Sequence, residues 1–441
     1  MFPIRTLDNP LFMKVRSLGS KVWTRRTLGV LVLLASTVLV TSFAQVSPPK
    51  VSPTKPLPQD SGAPGLQQIL RRLQTTARLM QADAHPDDED GGMLTLESRG
   101  KGASVLLLTL NRGEGGQNKV GSNLFDVLGV VRTLEVLAAD RYYGVEQRFT
   151  RVADFGFSKT PEETFQKWQG HDIALGDMVR VIRTFRPDVL VARFSGTSRD
   201  GHGHHQASAI LTKEAFRAAA DPKRFPEQIK EGLLPWQAKK VYVGNVCGFG
   251  ATSCPDADYT LRLNTGKADP LLGMSYAQFA MDGLRHQLSQ GAGAWTLDAG
   301  DRFTYYKFVD SVLPSTTDKD GHEKDFFDGM DATIPGIATN LGAEAGKLPG
   351  LASSLAAMQK DVEQASAAAE RRPADATPFL LTGAREVHKL AATVSASALS
   401  PAAKNEVEVK LRTKENQFVE AANVAGGATG FEFGALLVMA D

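Results

Sequence analysis

Two runs decide how this chain folds: SVLLLT at Ser104–Thr109 and VLVARF at Val189–Phe194. Both are almost continuously apolar, the pattern of strands buried on both faces of a parallel sheet. Leu79–Ala84, Tyr142–Val145 and Lys240–Val243 are further strand candidates. Between them lie helix candidates at Val127–Ala139, Ile173–Phe185 and His205–Ala219. Alternation of this kind implies right-handed βαβ units. The expected class is α/β, a Rossmann-like open, mostly parallel sheet with helices on both faces. Ligands of such sheets bind outside the carboxyl ends of the strands.

Outward from this core, the α/β domain is expected over residues 66–335. Within it Thr260–Gly329 lacks steady periodicity and reads as loops and short elements. After Gly342 the chain turns Ala-rich. Leu348, Leu351, Leu355, Met358, Val362 and Ala365 step by three and four, as do Leu380, Ala384, Val387, Ala391 and Val394. These helical stripes predict a C-terminal bundle over residues 340–425. An apolar tail, residues 426–441, follows it.

At the other end, Lys14, Arg16, Lys21, Arg25 and Arg26 precede an uncharged run from Thr27 to Gln45. Small residues, Ser42 and Ala44, stand at the −3 and −1 positions of a cleavage site. Residues 1–44 therefore read as a signal peptide, and Arg25-Arg26 loosely matches a twin-arginine signal. An uncleaved membrane anchor is the alternative, because about 18 apolar residues span a bilayer. Either way the rest is expected outside the cytoplasm, secreted or periplasmic. Residues 45–65, with six prolines from Val46 onward, read as a linker.

Composition narrows the function. The hydrophobic fraction of 42% and charged fraction of 22% are those of a globular chain. With 50 Lys plus Arg against 49 Asp plus Glu, nothing predicts a nucleic-acid partner, which needs a basic face. Only Cys247 and Cys254 exist, too few for a thiolate zinc cage, so a metal site must come from His and carboxylates. In an oxidising compartment the two are expected to form a disulfide. Two unpaired small residues are the alternative.

Two clusters carry chemistry. Ala84-His85-Pro86-Asp87-Asp88-Glu89 directly follows the first strand, and Gly201-His202-Gly203-His204-His205 follows VLVARF. Three of the eight histidines fall within four consecutive positions. Pro86 stops the strand, so an imidazole and a carboxylate three residues apart converge on one point. An imidazole from the second cluster completes a three-ligand set and leaves a position for water, the open form of a catalytic zinc site. A solvated acidic turn and a polar loop are the bland readings of the two clusters taken singly.

AHPDDE, with TLNRGEGGQN at Thr109–Asn118, Arg132-Thr133-Leu134-Glu135 and the His202/His205 pair, resembles the PIG-L/LmbE family of N-acetylglucosaminyl deacetylases. The resemblance covers about Arg78–Gln290. It implies His85, Asp88 and His205 as zinc ligands and Asp87 as general base. His202 would stabilise the tetrahedral oxyanion or protonate the leaving amine. Arg112, Arg132 and Asp154 match family positions that face the substrate. Structural roles remain open for these three, including an Arg132–Glu135 ion pair and a turn role for Asp154. Tyr276 and His286 lie in a further similar stretch. Where the family usually reads HPDH, this chain has His202-Gly203-His204-His205, so a carboxylate is replaced by His204.

The chain is thus expected to be an exported, zinc-dependent hydrolase that removes an acyl group from an N-acetylated amino sugar or glycoconjugate. Fe²⁺ is an alternative metal for such ligands. An amidase on a thiol conjugate or other small amide is a second reading, and a sugar-binding protein without catalysis a third. Export disfavours the second, and a general base at Asp87 disfavours the third.

Overall fold

A computed structural model describes residues 56–248, 251 and 253–427. The segment expected to be a signal or anchor and the apolar run Phe431–Ala440 lie outside the described residues. No described helix is long and apolar enough to cross a membrane.

Seven strands form one sheet. Five are parallel: β1 (Arg78–Asp83), β2 (Ser104–Thr109), β3 (Glu146–Phe149), β4 (Val189–Ala192) and β5 (Lys240–Val243). β6 (Leu261–Asn264) and β7 (Phe303–Ser311) extend it antiparallel, in the spatial order β3-β2-β1-β4-β5-β7-β6. The chain winds outward from β1 to β3, then returns to place β4 on the other side of β1. The neighbours β1 and β4 thus flank the point where the winding reverses, and a crevice opens beyond their carboxyl ends.

Burial explains the near-continuous apolar runs. Leu79, Val105, Leu107, Val189, Val191 and Tyr242 point to one face, packed against Val136, Ala139 and Tyr143. Met80, Ala82, Leu106, Leu108, Leu190 and Val241 point to the other, against Met178, Ile182, Leu211 and Phe216. Each fully buried side chain of this size contributes about 1.5–3 kcal/mol, so both faces must be covered by helices.

Three boundaries differ from the sequence reading. Tyr142–Val145 is not a strand. The helix Asp126–Tyr143 runs through it, ends at Gly144 with φ 72°, and the strand begins at Glu146. Tyr143 is fully buried and its hydroxyl donates to Glu89 Oε1 at 2.8 Å, which pins the aromatic pair to the last helical turn. Glycine accepts the left-handed conformation that ends the helix. Thr260–Gly329 is more regular than read, since it holds β6, β7 and the helix Tyr276–Leu284. The nine-residue β7 alternates only weakly in burial and so lacks a clear period.

The third difference is the linker. A 3₁₀ turn covers Pro58–Asp60 and a helix covers Gly62–Leu73, so residues 58–65 are structured. Leu66, Ile69, Leu70 and Leu73 form a buried stripe in one core with the C-terminal helices Leu351–Arg371, Thr377–Ala396 and Pro401–Gly427. Both predicted bundle stripes lie in that core, with Ala391 at its margin. Gly383 is where two of these helices touch, because a Cβ there would sit 2.3 Å from Phe418. Lys414, fully buried, donates to the carbonyls of Arg72, Leu73 and Thr75 and so caps the helix Gly62–Leu73.

The antiparallel extension is locked by a buried pair: Lys240 Nζ lies 2.6 Å from Glu323 Oε1. Tyr242 donates to Glu323 Oε2 at 2.5 Å. Glu323→Ala would strand a buried ammonium, a loss of about 3–5 kcal/mol. Chemical denaturation should show it as a lower midpoint, and an unchanged midpoint would refute the role given to this pair.

Candidate active site

β1 and β4 deliver both clusters to the same crevice. After β1 the chain turns sharply, with Asp87 at φ 98°, a strained conformation for a non-glycine residue that costs on the order of 1–3 kcal/mol. Glu89, to which the sequence reading gave no role, holds the turn from below. It accepts the Asp87 amide at 2.9 Å, Tyr143 Oη at 2.8 Å and Gln287 Nε2 at 2.7 Å. Arg132 holds it from above. Its guanidinium donates to Asp87 Oδ1 at 2.7 Å, to the Pro86 carbonyl, and to the Gly113 carbonyl at 3.3 Å.

After β4, Asp200 folds the loop onto itself. It accepts the amides of Ser195, Gly196 and Thr197 at 3.1, 2.7 and 3.1 Å, and Asn245 Nδ2 at 3.0 Å. The helix Gly203–Ala218 begins directly afterwards. His202 is its N-cap, and Nδ1 accepts the His204 amide at 3.1 Å. His205, in the first turn, stacks on Phe194 with centroids 4.0 Å apart. Its Nδ1 lies 3.2 Å from the Asp200 carbonyl, which leaves Nε2 turned into the crevice.

The two strand ends meet at Asp88. Its Oδ2 lies 3.0 Å from His85 Nδ1 and accepts the His85 amide at 2.8 Å, while Oδ1 lies 3.4 Å from His205 Nε2. Donor atoms of His85, Asp88 and His205 all fall within 4.8 Å of one another. Tetrahedral ligands about 2.0–2.1 Å from a zinc ion stand about 3.3 Å apart, so this set fits a divalent cation. His85, His202 and His204 form a second such group that shares His85.

Charge is balanced tightly here. Burial pushes the Asp87 carboxyl up to about 8, with Arg132 opposing and Asp88 and Glu89 adding to the rise. Burial would also raise Asp88, but the imidazoles of His205 and His85 outweigh it and hold that carboxyl well below its ordinary range. Burial would lower His205, and Asp88 reverses this to raise it. Burial, then His85 and His205, brings His202 down to about 4. Since Nδ1 of His202 accepts a hydrogen bond, its neutral ring carries the proton on Nε2.

The residues expected to face the substrate divide. Arg112 lines a cavity of about 410 Å³ with Glu114, Gly129 and Thr133. It donates to Thr133 Oγ1 at 3.2 Å and stands 4.1 Å over the Phe149 ring. Arg132 grips Asp87 rather than Glu135, whose carboxylate instead accepts from Ser289. Asp154 is buried, and its Oδ1 accepts the Gly156 amide at 2.8 Å, the turn role that its sequence left open. Tyr276 donates to Asp269, and His286 packs 5.3 Å from the Tyr142 ring. Cys247 and Cys254 are joined in a disulfide, Cα atoms 5.6 Å apart, after β5. Cys247 lines a second cavity of about 310 Å³ that also reaches Glu89 and Arg193.

Comparison with known proteins follows the same residues. Residues 80–216 match the family model described as PIG-L: GlcNAc-PI de-N-acetylase. The chain is 29% identical over 308 residues to 1D-myo-inositol 2-acetamido-2-deoxy-alpha-D-glucopyranoside deacetylase 2 of Frankia casuarinae, covering 58% of this chain and 94% of that protein. It is 32% identical over 178 residues to mycothiol S-conjugate amidase of Streptomyces coelicolor, covering 37% of this chain and 59% of that one. Among solved structures it resembles N,N'-diacetylchitobiose deacetylase from Pyrococcus horikoshii, with TM-score 0.36 and 15% identity over 48% of this chain and 70% of that one.

The Arg132–Asp87 pair makes a titration prediction. In metal-free protein the Asp87 carboxyl, followed by ¹³C NMR, should titrate near the value of about 8 set by burial. Arg132→Leu removes the cation that favours the carboxylate, so the midpoint should rise. A midpoint that stays or falls would contradict the pairing.

Proposed function

We propose, from the PIG-L family domain that this chain carries, that it is an exported, metal-dependent N-deacetylase acting on an N-acetylated amino sugar or glycoconjugate. The observation that carries this reading is the convergence of His85, Asp88 and His205 donor atoms in the crevice between β1 and β4, with Asp87 beside them. A divalent ion held there, Zn²⁺ or Fe²⁺, supplies Lewis-acid activation of water and of the amide carbonyl.

The protein's own groups do the rest. Asp87 accepts the proton of the attacking water and passes it to the departing amine nitrogen, so the C–N bond breaks without expelling an anion. Arg132 fixes the Asp87 carboxylate and favours its ionised form. His202, neutral with its proton on Nε2, is a hydrogen-bond donor suited to the oxyanion that develops on the carbonyl oxygen. Arg112, which lines the cavity of about 410 Å³, is the residue we assign to substrate hydroxyls.

The amidase reading shares this chemistry. Alignment coverage does not separate the two, since it spans 94% of one deacetylase but 58% of another and 59% of the amidase. The N-terminal basic and apolar segment supports export, and N-terminal sequencing of the mature protein should begin just after Ala44. A mature chain beginning at Met1 would exclude that cleavage.

Metal analysis should give about one equivalent of divalent metal, strongly reduced in His85→Ala. Acetate release from a panel of N-acetylated sugars should stop on chelation. Asp87→Asn should keep the metal and lose on the order of 10²–10⁴ in rate. His202→Ala should keep it and lose about 10²–10³. Loss of metal from either of these two variants would mean that a ligand has been mistaken for a catalytic group.

A further inference from the structure

Behind the proposed ligands lies a residue that the chemistry above does not use. His204 is fully buried on the first turn of the helix Gly203–Ala218. Its Nδ1 lies 2.9 Å from His85 Nε2. Its Nε2 has no hydrogen-bond partner, and the ring meets Phe155 edge-on at 4.5 Å and Trp168 at 5.1 Å. Asp154 Oδ1 stands 3.8 Å from Nδ1, beyond hydrogen-bond reach.

The two nitrogens of His85 therefore face different neighbours. Nδ1 faces Asp88, whose second oxygen faces His205; Nε2 faces His204. A neutral imidazole that gives its Nδ1 lone pair to a cation keeps its proton on Nε2. In a buried site that proton needs an acceptor. Nδ1 of His204 is the acceptor at hand. The proton of His204 then sits on Nε2, turned toward aromatic rings, where an N–H···π contact is the weak partner on offer.

We propose that His204 is a positioning residue: by accepting the Nε2–H of His85 it fixes the tautomer and ring orientation that present His85 Nδ1 to the metal beside Asp88 and His205. The inference rests on the metal-binding reading given above. The usual outer partner of a ligating histidine is a carboxylate, a backbone carbonyl or a water. Here a neutral imidazole takes that place, and it adds no negative charge to a pocket that already holds Asp87, Asp88 and Asp154.

The test compares an acceptor with an apolar isostere. Zn²⁺ affinity is measured by competition with a chelator, alongside the visible spectrum of the Co²⁺-loaded protein. His204→Leu should weaken Zn²⁺ about 10–100-fold, the usual cost of losing an outer partner, and alter the Co²⁺ spectrum. His204→Asn, whose Oδ1 can accept the same proton, should recover most of the affinity and the wild-type spectrum. Wild-type affinity in His204→Leu would overturn the proposal. So would equal losses in both variants, because packing rather than the acceptor would then be responsible. Loss of all metal from His204→Leu with full retention in Asp88→Asn would place the metal among His85, His202 and His204 and overturn it too. A wild-type protein that binds no Zn²⁺ would bring down the metal-binding reading itself, a result distinct from each of these.

Discussion

Everything at the site depends on β1 and β4 lying side by side while the chain winds away from them in opposite directions. Leu79 to Ala82 pair in register with Val189 to Ala192, and the segments that leave the two strands cannot close over each other. They diverge and leave a crevice. The turn His85–Asp88 follows β1 closely, and the helix start His202–His205 follows β4 after the loop that Asp200 folds. Hydrogen bonding of the sheet thus brings together side chains more than a hundred positions apart.

The second constraint is electrostatic. Asp87, Asp88 and Glu89 are consecutive and largely buried, an arrangement that repels itself in a low-dielectric interior. The fold separates them by direction. Asp88 turns toward two imidazoles, Asp87 toward Arg132, and Glu89 down to Tyr143 and Gln287. The positive φ of Asp87 is what lets neighbouring carboxylates point to different partners. Strain at that residue is sustained because the groups on either side over-determine its position. The result is one carboxyl held low beside imidazoles and another held high by burial, which suits a ligand and a proton acceptor respectively.

The helical bundle belongs to the same body of chain as the helix that precedes β1. Lys414 reaches the carbonyls that end the helix Gly62–Leu73, and Arg78 of β1 donates to Thr413 Oγ1 at 3.2 Å. These contacts stand at the amino-terminal end of β1, opposite the crevice. The bundle therefore steadies the strand that carries His85 without entering the site.

The sequence by itself determined the sheet and the location of its chemistry. Apolar runs in SVLLLT and VLVARF require burial on both faces, and HPDDE and HGHH follow strand ends, so the class and the two clusters were legible from local pattern. The helical stripes after Gly342 were legible for the same reason. What needed the tertiary structure was every choice that local pattern leaves degenerate. Tyr142 and Tyr143 suit a strand as well as a helix, and only the buried contact of Tyr143 with Glu89 assigns them to the helix. The prolines before Gly65 read as a linker, because the partners of Leu66, Ile69, Leu70 and Leu73 lie more than 260 residues onward. Asp154 suits a substrate contact or a turn in sequence, and in space its Oδ1 accepts the Gly156 amide of its own turn. Glu89 and His204 stand within the two clusters, but no local pattern assigns their supporting roles, since a supporting residue is defined by whom it touches. Periodicity reports which residues are buried; only the packed chain decides against what.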